Sequence, residues 1–222
     1  DAKTIREGYD EIADQIVMPV KFYRACLDLI GSVSDGAKVL DVGCGQGLLL
    51  REFKKRFSPE VVFGLDHSLE LCRRAGKNID SATVTEADIH FAPFRSSSFA
   101  VVMMTEVLEH VTAPEKVLKE LWRLVEPGGR LLLSVPNREW LRYDRYLKRR
   151  SKFQPVDDRW FGVDEIKGYI ESAGFSILKV RGQENLYFGG GPGRALEKVG
   201  LACIPTLHEK MKRLIILSEK AR

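Results

Sequence analysis

Two acids and three closely spaced glycines are the residues in this chain best suited to chemistry. Asp41 sits in the apolar run Val39-Leu40-Asp41-Val42 and is followed by Gly43, Cys44, Gly45, Gln46 and Gly47. Apolar spacing resumes at Leu48, Leu49, Leu50 and Phe53, so the stretch predicts a buried strand that turns sharply into a helix. Glycines two apart allow positive φ and leave bare main chain for a ligand to lie against. A second apolar run, Val61 to Leu65, ends at Asp66. In a parallel sheet ligands sit at the carboxyl ends of strands, and an acid there can accept hydrogen bonds from both hydroxyls of a ribose. A dinucleotide fingerprint, G-x-G-x-x-G, would need glycine where Leu48 stands. The carboxylate of Asp41 would repel a pyrophosphate and attract an ammonium group. The chemistry indicated is capture of a nucleoside that carries an amino acid and no phosphate.

At these residues the sequence resembles the class I, seven-strand S-adenosylmethionine-dependent methyltransferases, whose first motif is D-x-G-x-G-x-G. The resemblance runs from Val39 to Val135. It includes Asp88 to Phe94, similar to x-D-x-x-x-L-P-F with Ala92 for the leucine. It also includes the strand Phe99 to Met104 leading to V-L-E-H at Val107 to His110, and the L-x-x-P-G-G-x-L-x-x-S-V-P-N form from Leu124 to Asn137. It points to the small-molecule branch, similar to the ubiquinone and menaquinone pathway methyltransferases. The resemblance implies S-adenosyl-L-methionine as cofactor, held by Tyr9, Asp41, Gly43, Cys44, Gly45, Asp66, His67, Leu71, Asp88, Ile89, Thr105 and Glu106. Asp66 would take the ribose, Asp88 and Ile89 the adenine, and Tyr9, on a cover helix, the cofactor's carboxylate. Asn137, at a strand end, is placed to approach the substrate.

His110 is the candidate general base, because an unperturbed imidazole titrates near neutral pH. Glu106, Glu109 and His110 also form E-x-x-E-H, three potential ligands within about one helical turn. Some relatives hold a metal with this pattern. The RNA-modifying ones need a further histidine, and the only later one here is His208 in an unrelated context, so no metal is expected.

The elements that must position these residues read as one α/β domain over residues 1–222. Its predicted fold is a doubly wound seven-stranded sheet, mostly parallel with an antiparallel last strand, and with N-terminal cover helices. Residues 1–36 contain two helical patterns, Thr4 to Ile16 and Phe22 to Ile30, interrupted at Pro19. Residues 37–136 form the cofactor-binding core, 137–162 a lid inserted over the substrate, and 163–222 the C-terminal half of the sheet. The fifth strand is predicted over Arg130 to Val135 after a stop at Glu126-Pro127-Gly128-Gly129. The seventh strand, Lys212 to Lys220, is expected between the fifth and sixth.

Composition narrows the function. A chain of 222 residues with 44% hydrophobic content supports a sizeable core. No apolar run is long enough to span a bilayer and no secretory pattern opens the chain, which predicts a soluble cytoplasmic protein. The four cysteines form no C-x-x-C pair, so reduced thiols are expected. Net charge is +4, and between Arg138 and Arg159 eight basic residues face four acids. Trp140, Tyr143, Tyr146, Phe153 and Trp160 interleave with them, a combination suited to an anionic substrate or to peripheral contact with an anionic membrane through residues 138–159. Nucleic acid is disfavoured, because no second basic stripe or RNA-binding module accompanies the segment. The expected activity is methyl transfer to a small-molecule acceptor at an O, N or C nucleophile, of anionic, aromatic or lipid-like character. A non-catalytic S-adenosylmethionine-binding regulatory module is the alternative, and a nicotinamide oxidoreductase a weaker one. Oligomeric state is not encoded in any motif.

Overall fold

The apolar runs are buried on both faces, and that dictates the architecture. Leu40, Val42, Val102, Met104, Leu131 and Leu133 enter one core, while Val39, Val101, Met103 and Leu132, alternating with them, enter a second. Continuous apolar strands of this kind need helices on both sides of a parallel sheet. The computed structural model describes residues 18–59, 61–140, 143, 159–183 and 205–222.

Among these residues the elements alternate. Helix α1 (Val20–Ile30) precedes β1 (Lys38–Val42), α2 (Leu48–Phe57), β2 (Val61–Asp66), α3 (Leu69–Asn78) and β3 (Ala82–Glu86). A 3-10 turn (Ile89–Phe91) leads to β4 (Phe99–Thr105), and another (Leu108–His110) to α4 (Pro114–Leu124) and β5 (Val125–Pro136). Helix α5 (Val163–Ser172), β6 (Phe175–Gln183), a 3-10 helix (Pro205–Lys210) and β7 (Arg213–Lys220) complete the order. The seven strands form one sheet, β3-β2-β1-β4-β5-β7-β6. Strands β1 to β5 pair in parallel, and β7 runs antiparallel to both β5 and β6. The doubly wound fold and the insertion of the last strand therefore agree with the sequence.

Helices α4 and α5 cover the first core through Val117, Leu118, Leu121, Ile166 and Ile170. Helices α1 and α2 cover the second through Phe22, Cys26, Leu27, Leu50 and Phe53. Each such side chain, fully buried, contributes roughly 1.5–3 kcal/mol. Caps set the helix starts: Ser68 Oγ accepts from Leu71 N–H at 3.1 Å at α3, and Pro114 opens α4.

Strand β5 begins earlier than predicted. Val125 already pairs with Phe99, the Glu126 to Gly129 stretch bulges out with Gly128 at φ +77°, and pairing resumes at Arg130 opposite Val101. The helix thus gives way to a strand at Val125, and the glycines serve a bulge inside that strand. The predicted Thr4 to Ile16 helix, Tyr9, and residues 141–142 and 144–158 of the lid lie outside the described residues.

Candidate active site

The sheet brings Asp41, the glycine loop, Asp66, Asp88 and Thr105 to one edge, beyond the carboxyl ends of β1 to β4. Strand order reverses between β1 and β4, the position where such sheets open a ligand crevice. The loop after β1 is built from main-chain hydrogen bonds. Gly43 and Cys44 N–H both donate to the Leu65 carbonyl, at 2.7 and 3.0 Å, and Gly47 N–H donates to the Cys44 carbonyl at 2.8 Å. Gly43, Gly45 and Gly47 all have positive φ. Their surroundings differ. A Cβ on Gly43 would stand 2.2 Å from Val107 Cγ2 and one on Gly47 2.4 Å from Ile79 Cδ1, whereas one on Gly45 would meet nothing within 4 Å. Gly45 is the open main chain of the loop. The Cys44 thiol turns into the second core against Gly64, leaving only its main chain toward the crevice.

Asp66 joins two elements: Oδ2 accepts from Gly45 N–H at 2.8 Å and Oδ1 from Ser68 N–H at 2.9 Å. Burial raises its pKa against the lowering effect of these N–H groups. The His67 N–H lowers it as well, so three backbone donors already meet a carboxylate that has about four acceptor sites. His67 is half-buried, close enough to Asp66 and Asp88 to lower both pKa values when charged, and Leu71 is buried one turn into α3. Asp88 caps the turn at Ile89, accepting from His90 N–H at 2.9 Å and His90 Nδ1 at 2.7 Å. Partial burial alone would raise its pKa, but the His90 contacts outweigh it and hold the carboxyl below its usual range. Ile89 itself is buried in the first core.

Asp41 is the most constrained group. It is 2% exposed, and its Oδ1 is buried without a hydrogen-bond partner among the described residues. Burial first, and the nearby Asp66 second, push its pKa well above the usual carboxylate value. A cationic donor brought to Oδ1 would relieve that cost. Two neighbours were not singled out by the sequence. The Tyr23 hydroxyl accepts from Met18 N–H at 3.3 Å, is pushed up to about 12 chiefly by burial, and lies within the fields of both Asp41 and Arg51. Arg51 Nε is also buried and lacks a hydrogen-bond partner among the described residues. Tyr23 reads as a core aromatic and Arg51 as the polar face of an amphipathic helix; only the packing of α1 against α2 brings them beside β1.

At the end of β4, Glu106, expected to line the cofactor, has both carboxylate oxygens engaged within the fold. Its Oε1 accepts from Ser134 Oγ at 2.9 Å and its Oε2 from Arg213 Nε at 2.6 Å, in an ion pair whose side chains are about 15% exposed. Its backbone is left-handed, φ +55°, a conformation costing about 1–2 kcal/mol for a residue with a Cβ. Thr105, before it, pairs with Ser134 across the ladder and is half-exposed.

His110 is largely buried, and desolvation pushes its pKa down to about 4 rather than leaving it near neutral. Its Nε2 lies 3.8 Å from Glu109 Oε1. Among the described residues no three His, Cys, Asp or Glu side chains converge on a metal-binding geometry. Asn137 does not approach substrate. It is fully buried, donating from Nδ2 to the Glu209 and Met211 carbonyls at 2.7 Å and accepting from Glu139 N–H at 2.9 Å, so its amide is spent tying β5 to the start of β7.

The strand order and the acid–glycine crevice define a nucleoside-binding α/β protein of the class I methyltransferase type. Comparisons with known proteins agree. The sequence profile of the methyltransferase domain family matches residues 20–180. A ubiquinone biosynthesis O-methyltransferase of Coxiella burnetii is 33% identical over 158 residues, 66% of this chain and 67% of that protein. An uncharacterized 37.1 kDa protein in transposon TN4556 of Streptomyces fradiae is 36% identical over 113 residues, 49% of this chain and 33% of that protein. This chain thus spans from a third to two thirds of these relatives. A chain from the complex between the Haloferax volcanii Trm112 methyltransferase activator and a methyltransferase superposes with TM-score 0.73 over 98% of both chains at 18% identity, a likeness of fold. The chain belongs to the methyltransferase domain family, among the class I S-adenosylmethionine-dependent methyltransferases.

Proposed function

We propose that the chain binds S-adenosylmethionine at the carboxyl edge of β1 to β4 and transfers its methyl group to a small-molecule acceptor. The observation that carries this reading is the buried, unsatisfied Oδ1 of Asp41 beside the open main chain of Gly45. That pair suits an α-amino group lying against a bare loop, and it is unsuited to a pyrophosphate. Arg51 and Tyr23 would meet the cofactor's carboxylate, so that Asp41 and Arg51 together match a zwitterion. Asp66 would accept from the ribose hydroxyls, and the Asp88–Ile89 turn would border the adenine.

When bound, the cofactor supplies an electrophilic methyl on a sulfonium, which leaves as a neutral thioether and needs no acid. What remains for the protein is to bind, orient and exclude water. In-line placement of nucleophile and methyl can lower the barrier by roughly 7–11 kcal/mol. His110 is neutral throughout the physiological range, and in that form it can accept a hydrogen bond or a proton from an acceptor hydroxyl.

The acceptor side is suggested by aromatic and basic groups. Trp140 stacks on Trp160 with centroids 6.4 Å apart, Tyr143 meets Trp160 at 5.0 Å, and Lys212 Nζ stands 6.0 Å over the Trp140 ring. These groups would receive a planar acceptor with anionic or lipid-like character. The O-methyltransferase relative supports a hydroxyl acceptor.

Calorimetric titration with S-adenosylmethionine and with S-adenosylhomocysteine, using NAD as control, tests the reading. Micromolar binding of the first two without NAD is expected. Binding of NAD alone, or of none of the three, would overturn it.

A further inference from the structure

The ends of three strands are joined at one point. Glu106 follows β4, Ser134 lies in β5 opposite Thr105, and Arg213 opens β7 opposite Pro136. Glu106 N–H is shared between the Ser134 carbonyl at 3.2 Å and Ser134 Oγ at 3.1 Å, while the Glu106 carboxylate takes Ser134 Oγ–H on one oxygen and Arg213 Nε–H on the other. All of these contacts converge on Glu106, whose backbone lies in the left-handed region that its Cβ disfavours.

What that backbone turn accomplishes is visible one residue later. Val107 is delivered onto the glycine loop so closely that Gly43 has room for no Cβ. The Val107 backbone is itself off the regular regions, at φ −129° and ψ −38°. The chain of contact therefore runs from Arg213, 107 residues away in sequence, through Glu106 to Val107 and the loop at Gly43.

We infer that Glu106, Ser134 and Arg213 form a positioning device: their hydrogen bonds hold residue 106 left-handed so that Val107 braces the glycine loop against which the cofactor lies. Glu106 then acts through its conformation and not as a ligand of cofactor or metal. The Arg213 guanidinium already supplies the cation that its carboxylate needs. This rests on the proposed function for its consequence in binding, but the bracing itself is a property of the chain.

Glycine takes φ +55° without help, so it separates the two roles of residue 106. The experiment compares wild type, Arg213→Met, Glu106→Ala and Glu106→Gly by hydrogen exchange of the amides of residues 43–47 and by calorimetric binding of S-adenosylhomocysteine, with urea unfolding to confirm folding. Arg213→Met and Glu106→Ala are expected to speed loop exchange and to weaken binding, each by about tenfold. Glu106→Gly should restore both to within about threefold of wild type. The inference is overturned if loop exchange is unchanged in Arg213→Met, or if Glu106→Gly is as impaired as Glu106→Ala, which would make the carboxylate a direct ligand. Should the wild-type chain bind neither S-adenosylmethionine nor S-adenosylhomocysteine, the proposed function fails while hydrogen exchange still decides the bracing.

Discussion

Asp41 and His110 are both buried ionisable groups, and burial moves their pKa values in opposite directions. Burial raises the Asp41 pKa, so its protonated form suits the empty site and the ionised form suits an ammonium ligand. Cofactor affinity should therefore fall as pH drops through that raised pKa, beginning above the usual carboxylate range near about 4. Asp41→Asn should weaken S-adenosylmethionine by about thirtyfold, roughly 2 kcal/mol, and abolish the pH dependence, as read by calorimetry between pH 5 and 8 at about unit steps. The same substitution should leave the unliganded fold as stable or more so near neutral pH, because a desolvated carboxylate has gone. For His110 the folded pKa, about 4, lies below the unfolded value of 6.5. Its contribution to stability is present above the unfolded pKa and is lost as pH falls toward the folded one, about 3 kcal/mol in all. Urea unfolding of wild type and His110→Gln at neutral pH and near the folded pKa should show the variant losing less. A methyl-transfer rate that depended on His110 would accordingly show no acid limb near pH 6.5.

Among elements, the strand–loop–helix unit β1–α2 does most to shape the site, and its glycines carry different duties. Gly43→Ala places a Cβ against the Val107 side chain, in addition to the cost of positive φ. Destabilisation of about 2–4 kcal/mol is expected in urea titration. Gly45→Ala meets open space, so only the cost of its φ remains, about 1 kcal/mol. Because that space is where a ligand would lie, cofactor binding should suffer more from Gly45→Ala than from Gly43→Ala, relative to the stability each loses. Equal ratios would remove Gly45 from the site. The β5–β7 edge is built with similar economy: Asn137 satisfies its whole amide within the fold, and Arg213 three residues past Lys210 reaches back to Glu106.

At the scale of the molecule, the sheet places residues from β1, β2 and β4 on one edge and closes on the far side with the antiparallel β7 between β5 and β6. A ligand that binds only the folded chain stabilises it by mass action. S-adenosylhomocysteine at about a hundred times its Kd should add about 2.7 kcal/mol to unfolding, or about 5–10 °C in Tm, and NAD at equal concentration should add nothing. The stabilisation by S-adenosylmethionine should grow from acid toward neutral pH as Asp41 ionises. No helix among the described residues is long and apolar enough to cross a membrane.

Short-range chemistry was legible in the residues alone. The apolar runs fixed strands with helices on both faces, since only that arrangement buries them. The strand-to-helix turn at the spaced glycines and the acids Asp41 and Asp66 near strand ends were legible too, because positive φ and strand ends are local requirements. Even β7, read from its apolar run and from family resemblance, took its place between β5 and β6. Tertiary structure decided what depends on distant neighbours. It buried the Tyr23 ring and the Arg51 Nε, spent the amide of Asn137 on the β7 connection, and depressed the pKa of His110 by desolvation. It also engaged both carboxylate oxygens of Glu106, one with Ser134 and one with Arg213. Burial, desolvation and long-range ion pairing are set by which elements pack together, and no local spacing in a sequence records them.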